Sequence, residues 1–257
     1  VAVCAAWPFV KSNKPSNVPV ATIDSKTAIS VDKKEDKVVT RVESPQSLPD
    51  FTAFKDVKTK KREFFGYLKP MVQTINQEIR NDRAYILALT SPPINKNDKE
   101  KLNRLLKKYR VKTKSSFKEQ RQALLRRADN LPVELVLMQA ANESAWGTSR
   151  FATEANNLFG QWCFKPGCGV VPEGRPEGKT YEVRKFNKPI ESIRSYFHNL
   201  NTGFAYAELR TLRQTLRSMN EELDPYLLAE GLTKYSTRRE EYVDEIQNMI
   251  RVNKKYI

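Results

Sequence analysis

The stretch "LPVELVLMQAANESAWGTSRFATEANNLFGQW", residues 131–162, decides the fold of this chain. Pro132 suits the first turn of a helix. Because the following apolar residues recur on one face, the pattern predicts a buried helix that ends at Glu143. A carboxylate at the end of an apolar helix is either a polar helix end or an acid that burial keeps protonated for chemistry. The residues alone leave both interpretations open.

The rest of the C-terminal half alternates between turns and helices. Residues 158–187 are predicted to form a small β-hairpin or meander, since a turn-rich stretch precedes "GKTYEVRKF", which alternates like a strand. Helices are predicted from Pro189 onward. Thr237 and Glu240 have the spacing of a capping box, which predicts the start of the last helix. Residues 131–257 are therefore predicted to be α+β.

Two of the three cysteines, Cys163 and Cys168, flank the turn-like sequence "CFKPGC". Pro-Gly is turn chemistry and can bring two sulfurs within bridging distance. A zinc site is not expected, because Cys4 is distant in sequence and the chain has a single histidine. We expect a local disulfide and an oxidising compartment, with two free thiols as the alternative.

Positive charge is concentrated in the middle of the chain. The net charge is +15, and residues 51–130 carry 21 basic and 8 acidic residues against 17 and 16 in residues 131–257. This excess fits an anionic partner such as a cell-wall polymer or a membrane surface, and a solvated basic face is the alternative. A nucleic acid is not expected, because base-stacking aromatic residues are not interleaved with the basic ones.

Composition divides the chain into three predicted parts. Residues 1–50 lack helical periodicity and are interpreted as a linker or extended arm, and their apolar start, "VAVCAAWPFV", as the remnant of a signal or membrane anchor. Residues 51–130 are predicted to form a basic helical segment, either a separate subdomain or a bundle packed on the C-terminal part. Residues 131–257 form the third part, which carries the candidate chemistry.

The same stretch of the chain resembles the glucosaminidase domain of glycoside hydrolase family 73. The family pattern is an apolar helix with "Q.A.ES.WG.S", followed by "A....NLFG", and both are present. The later runs "WCFKPGCGVVP", "NKPIESIRSYFHNLNT" and "LAEGLTKYSTRREEYVDEIQNMI" resemble the bacterial Bax-type proteins of that superfamily. The resemblance covers about half of the chain. It implies a lysozyme-like, mostly helical α+β fold with a small β-hairpin. It also implies cleavage of peptidoglycan strands after N-acetylglucosamine in the bacterial cell envelope, in the periplasm, without a cofactor or metal.

The resemblance also implies roles for individual residues. Glu143 matches the family's catalytic glutamate, which would protonate the leaving glycosidic oxygen. Glu182 stands where the family often has a second carboxylate that positions or deprotonates water, and an exposed strand residue is the alternative. Tyr235 and Tyr242 match the family's tyrosines, although "STRREE" replaces the usual "ATDP". Tyr235 is expected to orient the sugar's N-acetyl group. Tyr242 is a candidate for substrate binding, with helix packing as the alternative.

Three aromatic residues of the same region are candidates for the sugar groove. Trp146, Phe159 and Trp162 are expected to line it, because aromatic faces stack on pyranose rings; for Phe159 a place in the core is the alternative. A lytic transglycosylase would also use one glutamate on this type of fold, but the run "GLMQ" that would favour it is absent. A non-catalytic cell-wall binder that uses the basic segment is the alternative from another functional class.

Overall fold

The structure is a computed structural model that describes residues 45–257. The predicted anchor and most of the predicted arm lie outside the described residues. The helices are α1 (Val57–Ala88), α2 (Lys96–Lys108), α3 (Phe117–Arg127), α4 (Val133–Glu143), α5 (Arg150–Ala155), α6 (Pro189–Thr202), α7 (Ala207–Ser218), α8 (Pro225–Glu230) and α9 (Glu240–Asn253); the strands are β1 (Trp162–Cys163), β2 (Gly169–Val170) and β3 (Glu182–Arg184). Mostly helical with one small antiparallel sheet, the chain confirms the predicted α+β, lysozyme-like fold.

Helix α4 lies at the centre of the molecule. Every residue from Leu135 to Ala141 is buried, so this helix is covered on all sides. It packs against α1, α8 and α9. A fully buried leucine or valine side chain contributes about 1.5–3 kcal/mol to folding, so the packing of α4 against α1, α8 and α9 fixes the position of its end at Glu143.

Helix α1 joins the basic segment to this core. Its first half places Phe64, Phe65 and Leu68 in the same hydrophobic cluster as α4. Its last turns place Ile86 in a second cluster with α2 and α3. Of the two arrangements left open by the sequence, the structure has the one in which the segment packs on the C-terminal part. The division of the chain at residue 130 stays a prediction.

A three-stranded antiparallel sheet, in the order β1-β3-β2, packs beside α5. A disulfide joins Cys163 to Cys168, whose Cα atoms are 6.2 Å apart, so the predicted pairing is confirmed. β2 approaches β3 closely at Gly169, where a Cβ would lie 1.9 Å from the carbonyl oxygen of Val183. Only glycine permits that approach.

The predicted capping box at the start of the last helix is wrong. Helix α9 begins at Glu240, and its N-cap residue is Arg239, which has a φ of 50° and makes no side-chain cap hydrogen bond. The left-handed residue interrupts the turn after Thr237, so Glu240 becomes the first helical residue rather than the third. Among the described helices, none combines the length and the apolar character needed to cross a bilayer.

Candidate active site

A cavity of about 600 Å³ opens where α4 ends, and we call it the Glu143 cleft. Glu143 lines it together with Phe159, Trp162 and Tyr235. The cleft lies between the end of α4, the start of the sheet and α6. The structure therefore brings these predicted site residues to one opening.

A strained turn comes directly after Glu143. Ala145, Trp146 and Gly147 all have positive φ angles, of 51°, 59° and 77°. The first two are not glycines, so the surrounding structure must compensate for their strain. Ser144 helps, because its Oγ donates to the carbonyl of Ala140 and accepts the N–H of Gly147 at 2.8 Å. The chain thus reverses immediately after the helix and leaves the Glu143 carboxylate at its end.

The Glu143 carboxyl is partly buried and hydrogen bonded. Its burial raises the pKa above the ordinary value for a glutamate, and this is the largest influence on the group. The Tyr242 hydroxyl donates to Glu143 Oε1 at 2.9 Å, and this bond and the positive charge of Arg238 act in the opposite direction. The net result is a raised pKa, which favours the protonated acid.

A chain of buried hydrogen bonds leads to this carboxyl. The Tyr196 hydroxyl donates to Gln139 Oε1. Gln139 Nε2 donates to the Tyr242 hydroxyl at 2.9 Å, which in turn donates to Glu143. Each hydrogen bond of this series, from Tyr196 through Gln139 and Tyr242, fixes the orientation of the next group.

Two of the predicted aromatic residues are held in the wall of the cleft by stacking. Phe159 is 4% exposed and stacks on Tyr196, with ring centroids 4.1 Å apart. Tyr235 stacks on Tyr242, with centroids 5.4 Å apart, and its hydroxyl lies 3.4 Å from the carbonyl oxygen of Phe159. Tyr242 itself is 1% exposed and does not line the cleft. It contacts the site by its hydrogen bond to Glu143 and its stacking on Tyr235.

Trp146 does not line the cleft either. Its indole contacts the rings of Phe64 and Phe65 edge-on, at centroid distances of 5.7 and 5.3 Å. The ammonium of Lys61 lies 5.0 Å from its ring centre. The indole therefore packs on α1, and the tyrosines rather than this tryptophan surround the Glu143 carboxyl.

Glu182, on β3, is hydrogen bonded to the backbone at the end of the disulfide loop. It is 5% exposed, and its two carboxylate oxygens accept the N–H groups of Gly167 and Gly169 at 2.8 and 2.7 Å. These bonds lower the pKa of Glu182 and keep it ionised. Its carboxylate also lies within 4.8 Å of the sulfurs of Cys163 and Cys168, but sulfurs joined in a disulfide do not offer thiolates to a metal. In this arrangement Glu182 does not line the Glu143 cleft.

Sequence reasoning missed several residues of the cleft. Phe164, which is 75% exposed, lines the cleft next to the half-exposed Trp162. Gln139 does not line the cleft, but it hydrogen bonds to Tyr242 behind Glu143, and its spacing of one helical turn before Glu143 was visible in the sequence. Arg110 and Arg184 also line the cleft, and they come from α2's end and from β3, which no local pattern links to α4.

Comparisons with known proteins agree on one family. The sequence model of the glucosaminidase family, described as mannosyl-glycoprotein endo-beta-N-acetylglucosaminidase, matches residues 118–255. Protein bax of Escherichia coli (strain K12) is 30% identical to the chain over 217 residues, which are 82% of this chain and 76% of that protein. No solved structure matches.

Proposed function

We propose, from the premise that the chain belongs to the glucosaminidase family, that it is an endo-β-N-acetylglucosaminidase. Membership of that family confirms the resemblance and supports a peptidoglycan-acting glycosidase of the cell envelope. It would cleave the glycan strand after N-acetylglucosamine, with Glu143 as the general acid. The observation that carries the proposal is a carboxyl at the end of a buried helix, in a cleft of about 600 Å³, with its pKa raised by burial.

Glu143 would protonate the glycosidic oxygen as the bond to the sugar breaks. A general acid works best when its pKa lies near the operating pH, because it is then both protonated and able to release its proton. Burial moves Glu143 in that direction, and the Tyr242 hydroxyl keeps its carboxyl pointed at one place. The proposed role therefore depends on both the burial of Glu143 and its hydrogen bond from Tyr242.

The other half of the reaction requires a nucleophile. Among residues 45–257, Glu143 is the single carboxylate that lines the cleft. Glu182 would act as a base only after its oxygens left the amides of Gly167 and Gly169. The arrangement therefore supports a route in which the substrate's own acetamido group attacks the anomeric carbon, one of the known exceptions to the two-carboxylate scheme. In that route Tyr235 would orient the acetamido group.

Sugar binding would use the aromatic residues at the mouth of the cleft. Trp162, which is 50% exposed, makes an edge contact with Tyr181 and lines the cleft together with Phe164. Phe159 forms part of the wall. We place the protein in the periplasm, because the Cys163–Cys168 disulfide fits an oxidising compartment.

A lytic transglycosylase is the second candidate. The observation in its favour is again the single carboxylate of the described cleft, because intramolecular attack by the muramic acid hydroxyl requires no activated water. The products separate the two reactions. Hydrolysis leaves a reducing N-acetylglucosamine end, whereas transglycosylation leaves an anhydro-muramic end.

The test is digestion of purified sacculi, followed by mass spectrometry of the released fragments. Glu143→Gln keeps the size of the side chain and removes the transferable proton, so turnover should fall by roughly 10²–10⁴-fold. Glu134→Gln, in the first turn of the same helix and outside the cleft, is the matched control. A folded Glu143→Gln protein with ordinary activity would disprove the general-acid role. Binding to sacculi without any released fragment from the wild-type protein would instead indicate a non-catalytic wall binder.

A further inference from the structure

The Glu143 cleft continues into a second opening, which we call the side cavity. This cavity has a volume of about 500 Å³ and lies between α1, α6 and the end of the sheet. Arg184, Ser195 and His198 line both openings, so the two are contiguous. The walls of the side cavity include the aromatic rings of Phe186 and Phe197. A group that branches from a strand bound in the cleft could therefore extend along α6 into the side cavity.

The junction of the two cavities carries unpaired positive charge. Arg110 lines the cleft, Lys108 lines the side cavity and Arg184 lines both. Lys108 already has a partner, because its Nζ lies 2.6 Å from Asp82 Oδ2. Within residues 45–257, neither Arg110 nor Arg184 has a carboxylate within salt-bridge distance.

The backbone and one ring hold these two arginines in place. Arg110 comes after the end of α2 with a left-handed φ of 52°, and Arg127 Nη1 donates to the carbonyl of Arg110. The guanidinium of Arg184 lies over the ring of Phe186, 5.0 Å from its centre. His198, between the cavities, has a lowered pKa, caused by its burial and then by the charges of Arg110 and Lys108. The electrostatic effect of Arg110 thus reaches the junction.

Such a pair of arginines suits carboxylates. The guanidinium presents a planar fork of N–H donors that binds a carboxylate by two parallel hydrogen bonds. N-acetylglucosamine carries no charge, whereas the short peptides attached to the muramic acid residues of a strand carry carboxylates. These peptides also carry alanine methyl groups, which suit a cavity with aromatic walls.

We propose that Arg110 and Arg184 bind the carboxylates of the peptide attached to muramic acid, with the side cavity accepting the apolar part of that peptide. The proposal rests on the proposed function, since it takes the glycan strand to lie in the Glu143 cleft. It makes the protein selective for strands that still carry their peptides over strands from which the peptides have been removed.

The test compares the binding of two soluble glycan strands of equal length, one with its peptides and one from which an amidase has removed them. The Glu143→Gln protein is used so that the strands are not consumed, and dissociation constants are measured by calorimetry. Exposed ion pairs contribute roughly 0.2–1 kcal/mol each, which is about 1.4–5-fold per arginine, so the peptide-bearing strand should bind roughly 2–25-fold more tightly. Added salt should reduce that preference.

Arg110→Gln with Arg184→Gln should lower the affinity for the peptide-bearing strand more than the affinity for the bare strand, so that the two strands bind alike. Arg251→Gln, which removes a charge from α9 outside both cavities, should keep the preference. Equal binding of the two strands by the parent protein, or an equal loss for both strands in the double variant, would overturn the proposal. Wild-type turnover of the peptide-bearing strand is measured separately, and its absence would count against the proposed hydrolase and not against this binding site.

Discussion

The Tyr242 hydroxyl is expected to lower the pH at which Glu143 loses its proton. The Tyr242 hydroxyl donates to Glu143 Oε1 at 2.9 Å, and this bond stabilises the ionised carboxylate and lowers its pKa. In Tyr242→Phe the donor is absent while the burial remains. The pKa of Glu143 should therefore rise further above its ordinary value.

The size of the shift depends on the bond that is lost. A hydrogen bond to a charged group contributes about 1.5–3 kcal/mol, and one pKa unit corresponds to about 1.36 kcal/mol. The shift should therefore be about 1–2 units upward. Because a general acid acts in its protonated form, activity decreases as pH rises through its pKa. The alkaline limb of the profile should consequently move to higher pH in the variant, although a less well oriented carboxyl should lower the plateau.

The measurement is kcat/KM against pH, which reports the groups of the free enzyme. Tyr85→Phe is the control, since it removes a tyrosine hydroxyl that lies 3.3 Å from Asp98 Oδ1, outside the cleft. The loss of Tyr242 also leaves Gln139 Nε2 without its acceptor, so a melting curve should show destabilisation by about 1–3 kcal/mol. An alkaline limb that stays in place, or that moves to lower pH, would refute the reasoning.

The other predictions concern the scaffold of the cleft. Gly66→Ala should stabilise the protein by about 0.5–1 kcal/mol, since no atom lies near the added Cβ at this position of α1. Gly231→Ala should destabilise it by about 1–3 kcal/mol or more, because the added Cβ would lie 2.3 Å from a backbone carbon of α7. Thermal denaturation should therefore show shifts of opposite sign, and a Gly231→Ala protein as stable as the wild type would contradict this prediction. Reduction of the Cys163–Cys168 disulfide should lower the free energy of unfolding by about 2 kcal/mol, because the loop is no longer closed in the unfolded chain. Turnover should fall even at temperatures where the reduced protein stays folded, since the loop holds the wall of the cleft. Unchanged turnover after both thiols have been released would contradict this. A fragment of residues 118–257 lacks α1, whose side chains share a hydrophobic cluster with α4, and should show no cooperative unfolding by circular dichroism. A native-like transition of this fragment would contradict the role given to α1 in the core.

The sequence was sufficient for the local parts of the structure and insufficient for the long-range ones. The end of α4 at Glu143 and the Cys163–Cys168 bridge are predictable from helical periodicity and turn chemistry over a few residues. The partners of Glu143 are not, because Tyr242 lies 99 positions away and reaches α4 only through packing of α9. Adjacency in sequence was also misleading for Trp146, since three left-handed residues turn its indole toward α1.

The position of the candidate acid depends on residues that precede the family match. That match begins at residue 118, yet the turn after Glu143 is covered by α1 and by a short 3₁₀ helix before it, Phe51–Ala53. A Cβ on Gly147 would lie 2.5 Å from the ring of Phe51, so this turn and the preceding segment are fitted to each other. The ring of Phe64 contacts both Phe51 and Trp146 and links them. Because the strain of this turn has to be offset by packing, α1 and the 3₁₀ helix before it are part of the scaffold that presents Glu143 and not a cover that could be removed from it.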